Sequence, residues 1–141
     1  LFYQKNTGEQ NHLILQPFMR TGRKGEIVDN GGAGGIFAVI DTQTGFILTD
    51  GFDEEAKSYK QHPDSGITYK GFLIPEWQNL KELTLRIHSL IPEQPYIGFD
   101  FAYTDKGWIL IEGNWGQFLG QYATKEGIRK PFEDFISQIH K

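Results

Sequence analysis

Three residues with hard oxygen donors, Asp100, Glu112 and Asn114, interrupt the aromatic and aliphatic run IGFDFAYTDKGWILIEGNWGQ, residues 97–117. Both arms of this run alternate, and TDKG between them is a turn signal. A type I turn through Asp105 and Lys106, with Gly107 left-handed as a G1 bulge, makes a three-residue loop and pairs Thr104 with Trp108. That register sets Asp100 directly opposite Glu112, with Asn114 on the same face opposite Gly98. Ile97, Phe99, Phe101, Ile109 and Ile111 then line the other face. Facing carboxylates repel unless a cation, a shared proton or bulk water lies between them. Two carboxylates and an amide carbonyl suit Mg²⁺ or Mn²⁺, which take oxygen ligands and keep water or phosphate in their shell. The same alternation also describes a solvated polar face on a half-exposed hairpin.

Other candidates lie upstream. The loop VDNGGAGG is neither a Walker A loop, since no Gly-Lys-Ser/Thr follows, nor a dinucleotide fingerprint, since Gly32 and Gly34 would require glycine or alanine where Phe37 stands. Its glycines beside Asp29 and Asn30 could approach phosphates as a nest of backbone N–H groups, or simply lead into a hairpin. Arg20 and Arg23 flank a turn, where a guanidinium either clamps a phosphate or is solvated. His62 in HPDSG could serve a proton or an anion, although a lone loop histidine usually does neither.

The elements that must position these residues read as mixed α and β. HLILQPFMR is expected to be a strand that Pro17 pushes toward a sheet edge or bulge. IFAVIDTQTGFILTDGF reads as a hairpin turning at Thr42 to Gly45. From Pro75 to about Leu90, Leu80, Leu83, Ile87, Leu90 and Ile91 recur at helical spacing until Pro92. A last helix is expected from Pro131, placed at its first position, with Phe132, Phe135, Ile136 and Ile139 on one face. This order predicts an α+β fold in which two helices cover one face of an antiparallel sheet.

The 141 residues, 38% hydrophobic and 14% aromatic, suffice for a single domain, residues 1–141, with its own core. A net charge of −4 and thinly spread Lys and Arg argue against nucleic acid as partner or substrate. The absence of cysteine excludes disulfides and thiolate zinc sites. No apolar run approaches a membrane span and no signal-peptide pattern opens the sequence, from which a cytoplasmic location is expected. The chain begins with Leu rather than Met, so a fragment of a longer protein is expected.

The series FMRTGRKGEIVDNGGAGGIFAVIDTQTG, HPDSG, GFLIPEW and YIGFDFAYTDKGWILIEGN resembles, in order, the C-terminal half of the ATP-grasp domain in sugar-transfer-associated ATP-grasp proteins, relatives of glutamate-ligase-like enzymes. The resemblance runs from about Leu13 to Gln121. It implies the C-terminal subdomain of an ATP-grasp ligase that joins a small carboxylate to an amine or other nucleophile through an acylphosphate. It implies that Asp100, Glu112 and Asn114 hold the Mg²⁺ or Mn²⁺ ions that bridge ATP phosphates. Arg20 is implied as the catalytic residue facing the phosphates, and Asn30, Gly34, Gly35 and His62 as nucleotide-side residues closing over the transfer site. A role in polysaccharide biosynthesis follows from the resemblance alone. No adenine-clamp segment or lysine-bearing strand is found, so a missing N-terminal ATP-grasp subdomain is the implied partner, and the fragment alone is expected to be inactive. A non-catalytic module binding metal, nucleotide or sugar phosphate on the same fold is the alternative, and a metal-dependent hydrolase a further one.

Overall fold

The computed structural model describes residues 2–5, 10–25, 35–94, 96–115, 124–125, 127 and 129–139. Its elements in chain order are β1 (Phe2–Lys5), β2 (Gln10–Leu13), β3 (Phe18–Thr21), β4 (Ile36–Val39), β5 (Gly51–Phe52), β6 (Ser58–Tyr59), α1 (Trp77–Ser89), β7 (Gly98–Thr104), β8 (Gly107–Asn114) and α2 (Arg129–Ile139). The fold is mixed α/β with antiparallel sheets and few helices, as the patterning predicts. The chain divides into two compact units, one of residues 16–74 and 118–127, the other of 1–15, 75–117 and 128–141.

In the first unit the sheet order is β3-β4-β5-β6. β4, the unbroken apolar run IFAV, is buried along its whole length, as a strand with neighbours on both sides and cover on both faces must be. Ile47, Tyr69 and Ile74 complete this core. The hairpin after β4 turns as expected: Gly45 N–H donates to Asp41 O at 2.9 Å, Gly45 has φ 81°, and Ile40 bridges Ile47. Gly51 in β5 is required by packing, since a Cβ there would lie 2.5 Å from Ile36 Cγ2 and 2.8 Å from Tyr69 Cε2. HLILQPFMR is not one strand. It breaks between Leu13 and Phe18, where Gln16 takes φ 37° ahead of Pro17, and its two ends join different sheets. Pro17 has no N–H to continue a ladder, and its carbonyl instead accepts from Ile40 N–H at 2.8 Å.

The second unit holds the β1-β2 and β7-β8 pairs and both helices. The β1 strand was not anticipated from the sequence. α1 begins at Trp77, and its buried residues are Trp77 and His88, eleven positions or three turns apart and therefore on one face. Leu90 and Ile91, expected on the apolar stripe, are exposed, because the helix ends at Ser89 and Leu90 N–H turns back to Ile87 O. Pro131 is the third residue of α2 rather than its first, a position where the missing N–H still costs nothing. Arg129 pairs with Glu133 at 2.6 Å and Lys130 with Asp134 at 2.8 Å, both exposed.

Candidate functional site

β7 and β8 pair as predicted at the residues that matter: Asp100 faces Glu112 and Gly98 faces Asn114. The path to that register differs. Gly107 is left-handed, φ 91°, yet it pairs directly with Thr104, and the extra residue falls at Ile111, between the pairs Asp100–Glu112 and Phe101–Leu110. Thr104 tightens the turn by accepting from Lys106 N–H at 3.1 Å and donating to Gly107 O at 2.9 Å. Skipping Ile111 moves Ile109 opposite Ala102, hence onto the carboxylate face, and puts Leu110 and Trp108 on the aromatic face. The expected placement of Ile109 with the phenylalanines is therefore corrected.

Asp100 is half-buried and Glu112 exposed. The Asn114 amide donates to Glu112 Oε1 at 2.8 Å, which leaves its carbonyl as the oxygen directed away from that bond. Among the described residues, no group of three or more His, Asp or Glu side chains is gathered to hold a metal. Asp100, Glu112 and Asn114 together offer two carboxylates and one amide, hard oxygen groups whose chemistry fits Mg²⁺ or Mn²⁺.

Arg20, Gly35 and His62 sit in the first unit. Arg20 is on β3, paired with Phe37 of β4, half-buried and engaged. Gly35 is buried at the entrance to β4. Asn30 and Gly34 lie outside the described residues. His62 uses both ring nitrogens: Nδ1 accepts from Asp64 and Ser65 N–H at 3.2 and 3.3 Å, so the proton is on Nε2, which donates to Gly22 O at 2.8 Å. Lys24 N–H adds a bond to Asp64 at 2.7 Å, tying HPDSG to the turn at residues 22–24.

Arg23, for which the sequence allows a phosphate clamp or a solvated residue, is engaged within its own unit. Its Nη2 donates to Tyr59 OH at 2.9 Å and to Asp53 Oδ2 at 3.3 Å, with the guanidinium 4.9 Å from the Tyr59 ring centre. Asp53, absent from the candidates above, is buried. Its Oδ1 accepts from Glu55 and Lys57 N–H, and its Oδ2 from Tyr59 and Arg23. Burial pushes this carboxyl up, but the bonds from Lys57, Tyr59, Arg23 and Glu55 outweigh it and hold it below its ordinary value. The signal available was FDEEAK, an acid ahead of a short turn whose N–H groups it can cap.

No helix of the described residues is long and apolar enough to cross a membrane. No curated protein and no solved structure matches the chain. A family model does match, that of sugar-transfer associated ATP-grasp proteins, over residues 6–136. That span takes in the carboxylate hairpin, the glycine-rich segment and both helices nearly entire, and with it an ATP-binding, ligase-like fold: the chain belongs to the sugar-transfer associated ATP-grasp family.

Proposed function

We propose that this chain is the metal- and phosphate-binding part of an ATP-grasp ligase, the C-terminal subdomain of its ATP-grasp domain, with α1 and α2 as the helices that cover an antiparallel sheet. The reaction is transfer of the ATP γ-phosphoryl group to a small carboxylate, giving ADP and an acylphosphate, from which an amine or other nucleophile displaces phosphate. Cytoplasmic polysaccharide biosynthesis is the setting we infer, and an N-terminal ATP-grasp subdomain the partner that holds the base of the nucleotide.

The observation that carries the reading is the cross-strand pair Asp100–Glu112, with Asn114 one step along the same face. Like charges opposed across a sheet are destabilising, and a cation shared by the two carboxylates would offset that repulsion. Asp100, Glu112 and Asn114 would hold Mg²⁺ or Mn²⁺, which when bound offsets phosphate charge during transfer. Strand geometry fixes the ligands without a rearrangement at the moment of reaction. Arg20 would face the transferred group, since a planar, always-charged guanidinium can bind phosphate oxygens in pairs. Asn30, Gly34, Gly35 and His62 would line the nucleotide side. His62 could act there by exchanging its bond to Gly22 for one to the ligand, or by holding the turn at 22–24 in place.

Thermal melts with and without divalent ion test this on the parent chain and on Glu112→Gln. Selective binding to the folded parent should add about 2.7 kcal/mol at a hundredfold excess over Kd. Glu112→Gln should be as stable as the parent or more so without metal, and lose most of the gain with it. Equal metal responses would return the hairpin acids to a solvated face.

A further inference from the structure

The face of the β7-β8 ribbon that carries Phe99, Phe101, Tyr103 and Trp108 is fastened to the start of α1. We propose that Glu76, Tyr103 and Trp108 are positioning residues that set the register, and hence the spacing, of the metal ligands on the opposite face, an assignment that rests on the ligand reading of Asp100, Glu112 and Asn114. The need for such a device is physical. A two-stranded ribbon alone is marginal in water, and a slip of one residue would send each side chain to the wrong face. The aliphatic run Ile109–Leu110–Ile111, which contains the skipped residue, has no alternation of its own to prevent that slip.

Two directional bonds supply what the run lacks. Trp108 Nε1–H donates to Pro75 O at 2.9 Å, and Tyr103 O–H donates to Glu76 Oε1 at 2.9 Å. Tyr103 and Trp108 are themselves cross-strand partners with ring centres 4.9 Å apart, so the two bonds hold both strands at the same level. Toward the other end of the ribbon, Phe99 meets His88 edge-on at 6.2 Å. From 77 to 88 a helix rises about 16 Å and from 99 to 103 a strand advances about 13 Å, so β7 runs back along α1 between these attachments.

Glu76 gives up ordinary helix chemistry for this. It occupies the N-cap position with φ 48° and ψ 39°, a left-handed conformation that side chains with a Cβ rarely adopt, and it makes no capping bond. Its carboxylate instead takes the Tyr103 hydroxyl on Oε1 and the Asn79 amide on Oε2, at 3.1 Å. Strain of this sort persists where surrounding bonds demand it. The Glu76 bond also holds the Tyr103 phenol above the usual tyrosine range, with burial and the Glu76 charge acting in the same direction.

The test uses the full chain with Mn²⁺ alone as probe, titrated by its paramagnetic resonance signal, and amide hydrogen exchange over residues 98–114 without metal. Tyr103→Phe and Glu76→Gly should each weaken Mn²⁺ binding on the order of tenfold and speed exchange across the ribbon. Glycine accepts the left-handed backbone, so α1 should keep its helical signal in Glu76→Gly. Because the two residues share one bond, the double variant should lose no more than either single. Glu76→Gln, which keeps an oxygen acceptor, should stay near the parent. Parental Mn²⁺ affinity in both single variants, or additive losses in the double, would overturn the positioning role while the ligand reading stands. No Mn²⁺ binding by the parent would overturn both.

Discussion

A carboxylate withdrawn from water stays ionised only if its oxygens are filled, and Asp53 has four donors on two oxygens. Replacing it with Asn would leave Arg23 half-buried beside a neutral amide and turn an acceptor into a donor. We expect Asp53→Asn to cost about 1–3 kcal/mol near neutrality. Since the folded carboxyl titrates below its unfolded value of about 4, its contribution is fully present above that pH and lost as pH falls through the folded value. The gap between parent and variant should therefore narrow at low pH. Melts at about pH 7 and about pH 3 decide this, and an unchanged gap would mean that the charge is not what matters. His62 and Asp53 also mark how far single residues can be read from a sequence. A histidine in a loop attracts notice because its chemistry is distinctive, yet its two nitrogens are occupied by backbone groups. The buried acid is anonymous until the β5–β6 pairing brings Tyr59 to it and the turn after β3 brings Arg23.

Among the elements, those with a strict period were legible. α1, α2 and the facing of Asp100 with Glu112 all follow from spacing, and β4 from its β-branched and aromatic residues. TDKG has the residues for a bulge at Gly107. The bulge's location at Ile111 was hidden, since three successive aliphatic residues fit either face. β1 was hidden for another reason: a four-residue strand exists by virtue of its partner β2. The short β5 carries a prediction of the same kind. Gly51 looks like a turn residue, but it is the site where Ile36 and Tyr69 press against the strand. Gly51→Ala should lower stability by about 1–3 kcal/mol, as overpacking does, measured by denaturant melts. Gly107→Ala provides the contrast, having open space but a left-handed backbone, so any loss there is conformational. If Gly51→Ala melts with the parent, the packing at β5 is looser than these distances imply.

For the molecule as a whole, the division into two units has a kinetic meaning. One unit is drawn mainly from the unbroken stretch 16–74, whereas the other gathers 1–15, 75–117 and 128–141. Local contacts form with little loss of chain freedom, and each doubling of the loop to be closed adds about 0.6 kcal/mol of entropy cost. The stretch 16–74 should thus acquire structure first, and the unit assembled across it should follow. Pulse-labelled hydrogen exchange during refolding should show protection in β4 ahead of β7 and β8; simultaneous protection, or the ribbon first, would refute the order. The same asymmetry governs the protein after it has folded. The discontinuous unit is also the one that carries Asp100 and Glu112. A cation gripping those two strands would act as a clasp on the last-formed part of the molecule, lengthening its lifetime as well as deepening its stability.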